Sequence, residues 1–248
     1  NEGGRAFIYN GAEGGLDPEY ASTMRGDGAT DHFARSITTD ADFNGDGHQD
    51  LLVGIPYDDD GGENAGALRI FSGSTAGLSD SAVVTIYGAS DGEQLGLYTY
   101  RFGVGDLNSD GFDDLVVSIP TDDTSTTDSG KVIVYMGSST YLSDDIAHTL
   151  YGEMPYDRFG ESMGVSDVNG DGFADVIVGA PYNDDGGTDA GKVYVFEGAA
   201  GGMSSTASHG QYGATPGINL GQTIYTLGDI NGDGFGDVYL AGSSGSAN

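Results

Sequence analysis

Four short stretches of this chain carry side chains whose types and spacing suit one kind of chemistry. Asp167-Val168-Asn169-Gly170-Asp171-Gly172-Phe173-Ala174-Asp175 reads D-x-N-x-D-G-x-x-D, and Asp42 to Asp50, Asp106 to Asp114 and Asp229 to Asp237 repeat it. Each copy places oxygen-bearing side chains at loop positions 1, 3, 5 and 9, with Gly at position 6. A hard cation asks for this: Ca²⁺ takes about six to eight oxygens in a flexible shell. Gly at position 6 permits the sharp turn that returns position 9 to the ion. The closing acid is Asp at 9 rather than Glu at 12, and the flanks are short aliphatic runs of strand type, so these are not EF-hands. A lone copy could be an Asn/Asp/Gly turn that binds nothing. Four copies gathering three carboxylates each call for a positive partner.

The expected ligands are Asp42, Asn44, Asp46 and Asp50; Asp106, Asn108, Asp110 and Asp114; Asp167, Asn169, Asp171 and Asp175; and Asp229, Asn231, Asp233 and Asp237. His48, Phe112, Phe173 and Phe235 stand where the backbone carbonyl would join, so the His48 ring is not expected to ligate. About four Ca²⁺ are expected, one per loop. A loop filled by its own ligands keeps no open position for a substrate, so the ions read as structural rather than catalytic.

The elements that hold these loops repeat with them, at a period of about 62 residues. After each closing Asp comes an aliphatic run ending in Gly54-Ile55-Pro56, Ser118-Ile119-Pro120, Gly179-Ala180-Pro181 or the divergent Ala241-Gly242-Ser243. An acidic, Gly-rich loop follows, then a strand such as Gly191-Lys192-Val193-Tyr194-Val195-Phe196, then a weaker strand ending near Tyr87-Gly88, Tyr151-Gly152 or Tyr212-Gly213. Leu95-Gly96, Phe159-Gly160 or Leu220-Gly221 opens the next unit. Each unit is thus four strands, A to D, and no stretch shows sustained helical periodicity with caps. The fold expected is all-β: a β-propeller of four-stranded antiparallel blades. Runs such as Val176-Ile177-Val178 fit strands buried on both faces. Gly on the innermost strand would let neighbouring strands approach.

Residues 1–248 read as one propeller domain or a portion of one, with four repeat equivalents. The blades span about 31–92, 93–156 and 157–217, flanked by half-blades at 1–30 and 218–248. The first half-blade supplies strands C and D, the last supplies A and B, so one blade is split 2+2. Unpaired strand edges are a liability, and the two halves are expected to pair, B with C. Three arrangements satisfy them: a closed four-bladed ring, head-to-tail contact between copies, or neighbouring repeats of a longer parent. The last two are favoured over the closed monomer.

The formal charge is −31, with 39 acids against 8 Lys and Arg. This excludes a nucleic-acid footprint and disfavours anionic membranes, and no apolar run is long enough to span a bilayer. It suits an extracellular or cell-surface protein in a salty, calcium-containing medium. With no Cys there is no disulfide framework.

Catalytic patterns do not hold up. Gly160-Glu161-Ser162-Met163-Gly164 spells G-x-S-x-G, but it lies on strand A of the repeat, not on a strand–turn–helix elbow. Its counterparts by counting are Ser36, Tyr98 and Thr223. His32, His48, His148 and His209 fall at unrelated repeat positions. The chain reads as non-enzymatic. The A–B loops and C–D turns share one face of a blade, and the B–C and D–A loops share the other. That second face carries Tyr57, Asp58, Asp59, Asp60, Asp122, Asp123, Tyr182, Asn183, Asp184 and Asp185. Aromatics beside carboxylates can stack on and hydrogen-bond a protein or glycan ligand; they can equally form a solvated acidic rim.

Phe159-Gly160, the loop Asp167 to Asp175 and Gly179-Ala180-Pro181, in that order, resemble the FG-GAP repeat of the integrin α-subunit β-propeller, also found in bacterial secreted proteins and a fungal lectin. The resemblance runs over essentially the whole chain and is closest in the third unit. It implies Ca²⁺ in these loops, a propeller, and a role in adhesion or ligand binding without catalysis. The leading expectation is a calcium-binding extracellular module of adhesion or assembly. The alternatives are a carbohydrate-binding lectin and an accessory domain of a secreted hydrolase. Arg25-Gly26-Asp27 spells the tripeptide integrins bind, but Gly26 is the repeat's own Gly, so the match reads as coincidence.

Overall fold

The computed structural model describes residues 3–28, 30–143 and 145–243. Strands dominate: β1 (Arg5–Ala12), β2 (Gly15–Arg25), β3 (Ser36–Ala41), β4 (Asp50–Ile55), β5 (Ala67–Phe71), β6 (Val84–Tyr87), β7 (Phe102–Gly105), β8 (Asp114–Ile119), β9 (Lys131–Tyr135), β10 (His148–Tyr151), β11 (Met163–Ser166), β12 (Asp175–Ala180), β13 (Lys192–Phe196), the small pair β14 (Gly198–Ala199) and β15 (Gly202–Met203), β16 (His209–Tyr212), β17 (Thr223–Gly228) and β18 (Asp237–Ala241). The one helical element among the described residues is a 3-10 turn at Thr99–Arg101.

Three four-stranded antiparallel sheets follow chain order: β3-β4-β5-β6, β7-β8-β9-β10 and β11-β12-β13-β16. These are propeller blades, with strands A to D in sequence as the repeat demanded. The second strand of each, β4, β8 and β12, is buried at all six residues. The Leu/Val/Ile runs there lack polar alternation because neither face meets water. Each fully buried aliphatic side chain contributes about 1.5–3 kcal/mol.

Among the described residues, those up to Asp42 with Asp46–Thr99 form one compact unit, and Phe43–Gly45 with those from Tyr100 onward form a second. The first is centred on Met24, Phe33, Leu51, Val53, Ile55 and Phe71. In the second, Phe159 sits edge-on to Tyr194 and Phe196, at 5.3 and 6.0 Å between ring centroids, among Val116, Val132, Met163 and Val176. There β11 packs against β7 on one side and β17 on the other. A Cβ on Gly103 would lie 2.6 Å from the Val165 side chain, and one on Gly164 would lie 2.7 Å from Thr226. Glycine on the first strand is therefore what lets adjacent blades close on one another.

Two hairpins complete the set. β1 pairs with β2, and β17 with β18, each as a two-stranded sheet. Both keep the register of their counterparts in full blades. Arg5 faces Arg25 as Ala67 faces Tyr87, Lys131 faces Tyr151 and Lys192 faces Tyr212. Thr223 faces Ala241 as Ser36 faces Gly54. Phe7, Tyr9 and Tyr239 stay about half exposed, at 49%, 45% and 51%.

Candidate metal centres and the opposite loops

Each D-x-N-x-D-G-x-x-D loop joins the first two strands of its blade, and its carboxylates are held by its own backbone. Position 1 is the hub. Asp167 accepts N–H bonds from Gly170 (2.7 Å), Asp171 (3.2 Å) and Gly172 (2.9 Å). Asp229 does the same from Gly232, Asp233 and Gly234. Asp106 accepts from Asp110 and Gly111, and Asp42 from Asp46 and Gly47. Asn108, Asn169 and Asn231 at position 3 accept the N–H of position 5. Position 5 accepts that of position 7: Asp46 from His48, Asp110 from Phe112, Asp171 from Phe173, Asp233 from Phe235. The His48 ring turns onto Asp46, with Nδ1 3.1 Å from its carboxylate. The position-6 glycines Gly47, Gly111, Gly172 and Gly234 have φ between 83° and 92°, the left-handed turn expected of them.

The closing Asp is a different kind of residue. Asp50, Asp114 and Asp175 are 0–1% exposed. Asp114 accepts from Leu107 N–H at 2.8 Å and Gly137 N–H at 2.7 Å. Asp175 accepts from Val168 and Gly198 at 2.9 and 3.0 Å. Asp50 takes Gly73 N–H at 2.9 Å. One buried carboxylate thus ties the loop's start to the turn after the third strand. Sequence reasoning missed this second partner, although a signal existed: Gly73, Gly137 and Gly198 each follow their Asp by 23 residues.

The donor set fits a hard cation. It is all oxygen, and a carboxylate offers about four lone-pair sites, so the N–H bonds orient each group without exhausting it. Among the described residues no three acidic or imidazole groups converge closely enough to enclose an ion. Burial pushes the Asp114 carboxyl up to about 6, with the Asp110 and Asp106 charges adding to it and the Gly137 and Leu107 N–H groups opposing. Burial likewise raises Asp175. Asp229, fully exposed, is lowered by its backbone N–H bonds, Gly234 first.

A pH dependence follows. With no metal bound, the folded chain holds the Asp114 proton more tightly than the unfolded chain does. Stability from this group is present below pH about 4 and is lost as pH rises to about 6, by roughly 3 kcal/mol. The melting temperature in EDTA is expected to be higher at pH 5 than at pH 7.5. The increment added by Ca²⁺ is expected to be larger at pH 7.5. A metal-free melting temperature that climbs over this interval overturns the assignment.

On the opposite face the B–C loops follow a rule of their own. The first carboxylate or amide is buried: Asp58 at 3%, Asp122 at 9% and Asn183 at 0% exposure. Asp58 pairs with Arg69 at 3.4 Å and Asp122 with Lys131 at 2.7 Å, while Asn183 donates to Asp157 at 2.8 Å. The second is exposed and accepts the N–H five residues on: Asp59 from Asn64, Asp123 from Asp128, Asp184 from Asp189. Tyr57 meets the His32 ring edge-on at 4.8 Å, and Arg158 lies over Tyr182 at 5.6 Å. Asp60 and Asp185 are exposed, and Asp185 bonds Lys192 at 3.0 Å.

Two grooves not anticipated from sequence lie beside the third strands. One of about 350 Å³ is lined by Tyr151, Glu153, Tyr194, Ser205 and Thr206. Glu153 there binds Lys192 at 3.0 Å and the Tyr194 hydroxyl at 3.1 Å. Its counterpart, about 390 Å³, is lined by Arg25, Asp27, Arg69, Asp80 and Ser81. Asp27 of the Arg-Gly-Asp tripeptide is engaged by Arg69 at 2.6 Å.

Ser162 is no nucleophile. It is 1% exposed and its hydroxyl donates to the Gly221 carbonyl at 2.7 Å. Ser36 makes the same bond to Gly96. In the second blade the donor is Ser118, one strand over, bonding Gly160 O at 2.7 Å. Strand pairing places Arg101, not Tyr98, opposite Ser118, because the 3-10 turn Thr99–Arg101 displaces the count. Ser162→Ala is expected to lower stability by about 1 kcal/mol, read as a shift in denaturant midpoint. An esterase activity abolished by this change with an unmoved midpoint would overturn the structural role.

Comparison with known proteins agrees with the blade geometry. The FG-GAP repeat matches residues 33–71, 98–135 and 159–196, one stretch within each complete blade. The chain belongs to the FG-GAP repeat family. This FG-GAP chain is 32% identical to integrin alpha-8 of Mus musculus over 174 residues, covering 67% of the chain and 15% of the integrin. It is 32% identical to integrin alpha-5 of Xenopus laevis over 147 residues, covering 56% of the chain and 14% of the integrin. It therefore spans only about 15% of the length of the integrin alpha-8 it matches. Among solved structures, rhamnogalacturonan lyase YesW aligns with a TM-score of 0.48 at 15% identity, over 96% of this chain and 42% of that one. No helix among the described residues is long and apolar enough to cross a membrane.

Proposed function

We propose that this chain is a calcium-stabilised, non-enzymatic propeller module of an extracellular or cell-surface protein, serving adhesion or ligand binding. The observation that carries the reading is the oxygen-only loop, present four times with its first carboxylate held by the loop's own backbone N–H groups. Such loops offer one ion each an all-oxygen donor set that the side chains would turn inward to complete, and an ion there would stabilise blades rather than turn over a substrate. Membership among FG-GAP proteins and likeness to integrin alpha chains support the adhesive role. Ligand contact falls to the face opposite the metal loops, where Tyr57, Asp59, Asp123, Tyr182 and Asp184 reach solvent. Calorimetric titration of metal-stripped protein with Ca²⁺ tests the centre of the proposal. Saturable binding of about four ions is expected, and no heat of binding removes it.

A second reading, carbohydrate binding, is favoured by the groove at Tyr151, Glu153, Tyr194, Ser205 and Thr206, whose hydroxyls and carboxylate sit beside aromatic walls. A glycan array separates the two. Selective glycan retention lost in Glu153→Ala supports the lectin, and a blank array leaves a protein ligand.

A further inference from the structure

We propose that the second, third and fourth metal loops take their ions with positive coupling, through a main-chain relay that runs from the carbonyl ligand of one loop to the closing carboxylate of the loop before it. The proposal rests on the calcium reading above and adds how the loops act on one another. All three loops lie in the second compact unit.

The relay is made of peptide groups joined by hydrogen bonds. In the third loop the carbonyl expected to ligate is that of Phe173, and the N–H on the same peptide group is that of Ala174. Ala174 N–H donates to the Asp106 carbonyl at 3.0 Å. The N–H that shares a peptide group with that carbonyl belongs to Leu107, and it donates to the Asp114 carboxylate at 2.8 Å. Asp114 closes the second loop. The same steps recur one repeat on. Gly236 N–H, on the peptide group of the Phe235 carbonyl, donates to the Asp167 carbonyl at 2.7 Å, and Val168 N–H donates to Asp175 at 2.9 Å. One such path would be a local detail, whereas two at matching positions belong to the repeat.

Polarisation and order give the coupling its sign. A peptide group whose oxygen faces a cation becomes a stronger N–H donor, and linked hydrogen bonds strengthen one another where the dielectric is low. Leu107, Asp114 and Asp175 are 0% exposed, so water does not weaken these links. The bonds also fix position. With the Phe173–Ala174 peptide pinned, the start of the second loop and its closing carboxylate have less freedom left to lose on taking an ion. Space at the relay is tight: a Cβ on Gly236 would lie 2.7 Å from the Asp167 carbonyl oxygen, so glycine there lets donor reach acceptor. Charge acts the other way. Each empty loop carries three carboxylates, so an unfilled neighbour attracts an ion more than a filled one does. That field is screened beyond about 8 Å at physiological salt, whereas the relay consists of direct bonds.

The two effects give opposite results when one loop is kept empty. The test is a Ca²⁺ titration of the 248-residue chain at physiological salt, followed by amide NMR. Gly111, Gly172 and Gly234 N–H groups are each bonded to position 1 of their own loop, so their signals report the three loops separately. Asp171→Ala leaves the third loop empty at concentrations that fill the others. Because coupling is reciprocal, it should raise the Ca²⁺ midpoints at both Gly111 and Gly234 by about fivefold or more. Gly236→Ala keeps every side-chain oxygen and displaces only the link between the fourth and third loops, and it should raise the midpoints at Gly172 and Gly234. Ser162→Ala, which lowers stability without touching a loop, should leave all three unmoved. Midpoints that stay put in Asp171→Ala or Gly236→Ala overturn the coupling and leave the calcium reading standing. So do midpoints that fall, as charge alone would make them, or that rise equally in Ser162→Ala. Three signals that ignore Ca²⁺ in the unaltered chain overturn both.

Discussion

Chelation with EDTA is expected to lower the melting temperature of this chain by about 10 °C or more. Each loop holds three carboxylates on a short backbone arc, and their repulsion opposes the folded state unless a cation sits among them. An ion bound to the native state alone contributes about 2.7 kcal/mol at a hundredfold excess over its Kd. A domain of this size shifts by about 2–4 °C per kcal/mol, so even two occupied loops suffice. Re-addition of Ca²⁺ should restore the original transition, and Mg²⁺ should restore it less, because it demands tighter octahedral geometry. A melting curve unmoved by EDTA would remove calcium from the account of this fold.

The second large effect separates two aspartates of one loop. Asp175→Ala is expected to destabilise by about 3–5 kcal/mol with or without calcium, because Val168 and Gly198 N–H groups lose their buried acceptor. Asp171 is exposed and its carboxylate accepts the Phe173 N–H. Asp171→Ala should therefore destabilise in Ca²⁺ and be nearly silent in EDTA. Asp123→Ala, on the opposite face, removes the same charge and only the Asp128 contact, so its effect should be small and independent of metal. Thermal melts of the three variants in both conditions read this directly. Equal calcium dependence for Asp171→Ala and Asp123→Ala would show that the loop is not the metal centre.

Strand order, blade period and loop composition were legible because they repeat. One unit alone is ambiguous, but Leu51-Leu52-Val53, Leu115-Val116-Val117 and Val176-Ile177-Val178 at one offset from an Asp-rich turn are not. What stayed hidden were partners far apart in sequence. Nothing local marks Asp58 and Asp122 as buried, since their cations, Arg69 and Lys131, come from the next strand. The rim of acids drawn from sequence is in fact two sets, one turned inward and one knotting its own loop. The clamp on Asp114 was similarly invisible: Gly137 looks like any turn glycine until its N–H is seen to end on that carboxylate. Counting also misplaced Tyr98, because a 3-10 turn inserts residues where the other blades have none.

The serine bonds to Gly96, Gly160 and Gly221 bear on how this kind of repeat can be averaged. The donor comes from the start of the first strand or the residue just before it in two blades, and from the second strand in the middle one, where Ser118 lies beside Arg101. The two positions behave as a single choice. Where Ser36 is present, a Cβ on Gly54 would strike its hydroxyl and the Gly96 carbonyl. Where the second strand carries Ser, the first has no hydroxyl to offer. A consensus repeat built column by column could select Ser twice and collide, or select Arg beside Gly and strand a buried carbonyl without a donor. Modules recombined from this chain should inherit the pair from one parent, and a chimera that splits it should melt earlier than either source.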